Sequence, residues 1–168
     1  MTLEEMKQKV YAMIEEYSDE ADDLTEDEDL ATKMNGVINQ IQNEVARLKK
    51  IPANKTMAVN EGDETTLSKI DSNMYQLYNI RGVDYDTMND LIIFNESGTA
   101  KIYYFKYPTQ ITNDTPDDFK FELSRDVLEI MPYGVAGDLL KSDVSSQYGA
   151  VYTARYQQLL SELDPRYN

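Results

Sequence analysis

Apolar residues recur at threes and fours near both ends of this chain and alternate in its middle. Leu3, Met6, Val10, Met13 or Ile14, and Tyr17 form one stripe, and Thr2 with Glu5 fits a capping box, which predicts a helix over about residues 2–17. Thr25 and Glu28 make a second capping box, so a longer helix begins near Glu26. Its Leu30, Met34, Val37, Ile41, Val45 and Leu48 alternate threes and fours, with Ile38 broadening the face. That seam is close to a heptad. It serves either a coiled-coil contact between subunits or, more commonly, a core-facing bundle helix. Lys49 and Lys50 suit the helix C-terminus, and Pro52 stops it.

Beyond Pro52 the period falls to two. Thr56-Met57-Ala58-Val59 is a short predicted strand before the turn-rich Asn60-Glu61-Gly62-Asp63. Met74 to Ile80 alternates and is closed by Arg81-Gly82, while Leu91-Ile92-Ile93-Phe94 is a compact apolar strand. Asn95-Glu96-Ser97-Gly98 reads as a hairpin turn into a strand from Ala100 to Tyr107, ended by Pro108. Polar residues run from Thr109 to Asp118, and Phe119 to Leu123 makes one further extended piece. About four antiparallel strands then form a small sheet or sandwich.

Helical spacing returns at Ser124, whose hydroxyl is placed to cap a helix that Asp126 favours at its positive end. Val127, Leu128, Met131, Val135 and Leu139 share one face, widened by Ile130. Pro132 falls inside the pattern and predicts a kink or restart, and Gly134, Ala136 and Gly137 allow another backbone close. After a break at Lys141 to Asp143, Tyr148, Val151, Tyr152, Arg155, Tyr156, Leu159, Leu160 and Leu163 form an aromatic-to-leucine stripe ended by Pro165. A helical hairpin results, and it cannot bury both faces alone. Helices, then strands, then helices argue an α+β fold: a helical bundle of two N-terminal helices and a C-terminal hairpin, with an inserted small antiparallel β-sheet lobe. At 168 residues one domain is expected, with helices over 1–51, the β-rich lobe over 52–123, and the hairpin and tail over 124–168.

Leu128 to Leu140, a Ser-Asp turn, and Tyr152 to Leu160 resemble the C-terminal hairpin of the head–tail connector (adaptor) proteins of tailed bacteriophages. The opening, an amphipathic helix, an acidic linker and a longer helix, is similar to theirs as well. The resemblance covers about half the chain and implies a virion protein, made in the bacterial host cytoplasm, that forms a ring beneath the portal. Such a ring links the head to the tail, so the implied partners are further copies of the chain and the portal and tail or neck proteins.

Composition removes many chemistries. Neither cysteine nor histidine occurs, which excludes disulfides, thiol nucleophiles, Ser-His-Asp and Cys-His triads, and most zinc enzymes. A net charge of −15 argues against gripping nucleic acid through its phosphates. No run is apolar for long enough to span a membrane, and the acidic N-terminal stretch lacks the apolar core of a secretory signal. The Asn-x-Ser/Thr triplets at Asn54, Asn95 and Asn113 are therefore read as chance. The acids from Asp19 to Asp29 lack the alternation and glycine of a calcium loop and read as a solvated linker. Asp84, Asp86 and Asp90, with Asn89, would hold a hard cation or simply make a polar loop. The glycines match no nucleotide-binding fingerprint. No cofactor is expected.

Three readings follow. The first is a non-enzymatic ring-forming connector, whose interface positions are Met131, Pro132, Tyr133 and Leu139 on one hairpin helix and Tyr148, Tyr152, Tyr156 and Leu159 on the other. The second is a module recognising carbohydrate or peptide through a Tyr-rich strand lobe, with Tyr75 and Tyr103 in its groove; thirteen tyrosines favour a partly wet interface. The third is a carboxylate hydrolase, which needs a deep pocket with two facing acids; Glu129 and Asp138 come nearest to an apolar setting, and both are expected to face solvent or the turn.

Overall fold

The computed structural model describes residues 1–15, 28–141 and 146–163. The acidic linker, the Thr25–Glu28 capping box, Tyr17, the turn at 142–143, Pro165 and Tyr167 lie wholly or partly outside the described residues. Element order is α1 (Leu3–Glu15), α2 (Glu28–Leu48), β1 (Ile51–Val59), β2 (Glu64–Thr66), α3 (Leu67–Ile70), β3 (Met74–Arg81), β4 (Tyr85–Met88), β5 (Leu91–Phe94), β6 (Gly98–Lys106), α4 (Arg125–Leu140) and α5 (Ser146–Ser161). The fold is α+β, with both sheets antiparallel. Two compact units are present: Met1–Lys49 with Pro108–Asn168, which is helical, and Lys50–Tyr107, which is mostly strand.

In the helical unit the capping box of α1 is formed in both directions. The Thr2 N–H donates to the Glu5 carboxylate at 2.9 Å, and the Glu5 N–H donates to the Thr2 hydroxyl at 3.2 Å. The next orphan donors of this first turn are met from outside: Leu3 N–H by the Phe119 carbonyl at 2.9 Å and Glu4 N–H by that of Asp117 at 3.0 Å. Thr2 also bridges to Lys120, so the extended piece expected near Phe119 is a strap across the start of α1. Leu3, Met6, Val10, Tyr11 and Ile14 face the core.

On α2 the buried line is Met34, Ile38, Ile41 and Val45, which faces the core of the helical unit. The helix is rotated from the expected stripe: Leu48 is 38% exposed, and Val37 only half-buried. Amides occupy the neighbouring positions. The Asn39 side chain donates to the Ile111 carbonyl at 2.8 Å and accepts from the Ile111 N–H at 2.7 Å, copying a backbone pair. Buried Gln42 donates to the Thr109 carbonyl at 3.0 Å, and buried Asn35 to the Asn113 side chain at 3.0 Å. This ladder binds the polar run 109–113 to the helix and satisfies backbone that has no sheet to join.

Helix α4 packs against α1, α2 and α5. Accordingly it is buried nearly all round, from Val127 and Leu128 through Ile130, Met131 and Pro132 to Val135, Ala136 and Leu140. Of the kink or restart expected at Pro132 the restart does not occur, since one helix runs from Arg125 to Leu140 with the proline inside it. Packing on three sides supplies what one missing backbone bond removes. Ser124 stands at the N-cap with extended backbone, but its hydroxyl makes no capping bond; its carbonyl takes the Val127 and Leu128 N–H groups instead. Close approach of a second backbone is realised at Gly137 and Gly149. A Cβ on Gly137 would stand 2.9 Å from the Thr153 nitrogen, and one on Gly149 3.2 Å from the Gly137 carbonyl oxygen.

The strand unit holds two three-stranded sheets, ordered β1-β6-β3 and β2-β5-β4. One apolar cluster lies between them, with Val59, Met74, Ile80, Ala100, Ile102 and Tyr104 meeting Ile92 and Phe94. The hairpin expected between residues 91–94 and 100–107 is overturned, because β5 and β6 belong to different sheets. Asn95 explains the crossing. Its N–H donates to the Asp84 carbonyl and its amide to the Asp84 and Asp86 carboxylates, which turns the chain toward the β4 side instead of back along β5. Strand β5 pairs instead with β4 through a turn that holds Asn89 at φ 58°. At Gly82, φ is 95° and a Cβ would collide with the Thr99 carbonyl, so only glycine closes β3 this way.

Candidate functional site

The residues singled out for interfaces fall in different settings. Met131 and Tyr156 are buried in the helical core. Burial pushes the Tyr156 phenol well above its usual pKa, and the negative charge of Glu44 adds to the shift. Gly134 leaves room for this ring against α4. Pro132 is buried on the α4 flank toward α1, and Tyr133 beside it is half-buried. Both line an open groove of about 390 Å³ with Lys9, Met13 and Glu129. The Tyr152 hydroxyl donates to the Met13 carbonyl at 3.2 Å, and its ring lies 6.3 Å from that of Tyr133. These two tyrosines therefore join α4, α5 and α1. Leu139, half-buried, lines another open groove with Leu30, Gly36, Val37 and Asp138. Tyr148 and Leu159 are half-buried on α5, and Val151 is 62% exposed, so the expected apolar stripe is narrower than its spacing implied.

A wider groove of about 540 Å³ continues along α1, walled by Met1, Lys9, Phe121, Leu128 and Glu129. Lys9 crosses it to Glu129 at 3.3 Å. Glu129 is thus exposed and ion-paired, and Asp138 pairs with Lys141 at 2.7 Å. Neither lies in an apolar setting. The displaced carboxyl groups move downward. Burial opposes ionisation of Asp71, but the Asn73 N–H, the Tyr104 hydroxyl at 2.8 Å, Lys106 and Lys55 together hold its carboxyl below the usual range. The Ser124 hydroxyl, and the Lys49 ammonium at 3.1 Å, do the same for Asp126 against its partial burial. Both are carboxylates at neutral pH, suited to ion pairs and not to proton donation.

Asp84 and Asp86 share the Asn95 amide, at 3.3 and 2.9 Å, and the Asp90 carbonyl takes the Leu67 N–H. Among the described residues no three acids converge as metal ligands. No described helix is long and apolar enough to cross a membrane.

The strand unit carries a different surface. Opposite its apolar cluster, the β1-β6-β3 sheet sets Arg81, Lys101 and Thr56 in one cross-strand row and Asn79, Tyr103 and Asn54 in the next, followed by Gln76, Phe105 and Pro52. Arg81 and Lys101, paired in one row, both lie 5.3 Å from the ring centre of Tyr103 in the next. Tyr78, 65% exposed, stands beside Phe105 with ring centres 5.6 Å apart, and Tyr75 stacks on Tyr107 at 4.6 Å. No strand of this sheet contains an acid. Of the two strand tyrosines expected to line a groove, Tyr103 lies at the centre of this face and Tyr75 near its end. Sequence reasoning passed over Arg81 and Lys101, whose opposition depends on register.

No protein-family model matches the chain, and no curated protein is similar to it.

Proposed function

We propose that this chain is a non-enzymatic virion structural protein, a head–tail connector of a tailed bacteriophage or prophage that assembles into a ring between portal and tail. The observation that carries the reading is the α4–α5 hairpin. The stretch that resembles the connectors folds as two helices whose backbones meet at Gly137 and Gly149, with α4 packed on both leading helices. On this reading α1, α2, α4 and α5 act as one bundle that forms the subunit body, and the strand unit is an inserted lobe. The half-buried Tyr133, Tyr152, Leu139 and Leu159 then border its lateral contacts, while Met131 and Tyr156 hold the body together. Head-to-tail contacts around a closed ring are the expected geometry. Partners are further copies, the portal and the tail or neck proteins, with neither nucleic acid nor membrane as a specific ligand.

Co-production with the portal protein of the source phage or prophage tests this. Mass photometry and negative-stain microscopy should show rings seated on the portal. A chain that remains monomeric beside that portal, and sediments apart from it, overturns the reading.

A further inference from the structure

We propose that the outer face of the β1-β6-β3 sheet is a docking surface for the acidic helical unit of a second copy of this chain. Arg81 and Lys101 are directly opposed across the strands, a placement that costs stability because like charges face each other. No acid offsets them: none lies on any strand of the sheet, and neither cation has an ion pair among the described residues. The chain has 31 acids to draw on, so an acid-free sheet around two opposed cations is a segregation of charge. Tyr103 lies under both cations, and exposed Tyr78 extends the aromatic surface, the residue types that anchor protein interfaces.

Charge decides the occupant. Most of the surplus negative charge lies in residues 1–49 and 108–168, where Asp114, Asp117, Asp118 and Glu122 are exposed on the run before α4. A second copy therefore brings carboxylates to a face that lacks them. A nucleic acid would need a broad basic track and would meet a chain of net charge −15. Sheet face against helical unit is a heterologous contact, repeated from copy to copy. The proposal rests on the reading of the chain as a subunit that meets its own copies.

The test is sedimentation velocity at about 0.15 M salt, where repulsion between copies is screened beyond about 8 Å. The wild-type chain should self-associate with rising concentration. R81E/K101E should weaken that association by about tenfold or more, because it sets carboxylates against carboxylates. Its melting curve should stay close to the wild type, since both side chains are exposed, two like charges still face each other, and only the two exposed contacts to the Tyr103 ring are lost. The exchange R81K/K101R should associate normally. If the wild type assembles and R81E/K101E assembles equally well, this face is not the contact although the ring reading stands. If the wild type stays monomeric even with its portal present, both fall. Binding of a labelled oligothymidylate that R81E/K101E abolishes, with self-association unchanged, overturns the proposal in favour of a nucleic-acid surface.

Discussion

The Lys49 ammonium, only 7% exposed, lies 3.1 Å from the Asp126 carboxylate and so ties the end of α2 to the first turn of α4. The two partners are not equivalent, because the Asp126 side chain keeps 42% of its surface in solvent. Asp126→Ala strands a buried cation and should cost about 1–3 kcal/mol. Lys49→Met leaves a carboxylate that water can still reach, and should cost less. Urea unfolding of both variants gives the comparison, and equal losses would show that the burial of Lys49 is without consequence.

Gly137→Ala should destabilise by about 1–3 kcal/mol, because its Cβ would press on the Thr153 backbone nitrogen and force α4 from α5. Gly36→Ala is the matched control. Nothing lies within 4 Å of a Cβ there, and the position is helical, so the variant should gain about 0.5–1 kcal/mol. Thermal melts of the pair should move in opposite directions.

Asn39→Ala removes both bonds to Ile111 at once. The Ile111 N–H and carbonyl then lose the only strand-like pairing they have among the described residues, at a cost of about 1–3 kcal/mol. Hydrogen exchange at the Ile111 amide should accelerate more than at the amides of α2. Unchanged exchange would mean that the remaining bonds of the run 109–113, to Gln42, Asn35, Asn43 and Thr32, suffice to hold it.

Stability should vary little between about pH 5 and 9, since without histidine no side chain has an ordinary pKa between about 5 and 8. Asp71 and Asp126 have folded-state values below their usual ones, so what they contribute is present above about pH 4 and is lost as pH falls through the lowered values. The alkaline limb has the opposite sign. Burial, with the hydrogen bond to Asp71, pushes Tyr104 up to about 12. Its contribution is complete below about pH 10 and is lost as pH rises toward that value. Tyrosinate absorbance should show a late-ionising class that Tyr104→Phe reduces.

What could be read along the chain was whatever depends on near neighbours. The Thr2–Glu5 cap spans three residues, and the small residues of α4 announce a close crossing without naming the partner. The strands β2 and β4 escaped notice because Glu64–Thr66 and Tyr85–Met88 are short and largely polar, with only a faint alternation. Asn95 looked like a hairpin residue, and only its bonds to Asp84 and Asp86 carry the chain to the other sheet. Asn35, Asn39 and Gln42 are polar positions on a helix, and nothing in their spacing says that the run 109–113 covers them. Arg81 and Lys101, twenty residues apart, become neighbours through β3–β6 pairing, which no local pattern reveals.

Strands β1 and β6 run side by side along their whole length, from Val59 against Gly98 to Ile51 against Lys106. The polypeptide thus leaves for the strand unit and comes back at adjoining points, about 5 Å apart as cross-strand partners are. Everything between Lys50 and Tyr107 is a cassette with a narrow neck. It could be exchanged, enlarged or spliced out through a short linker without redrawing the helices on either side of the cut, which leaves its outer surface free to change with whatever it must fit.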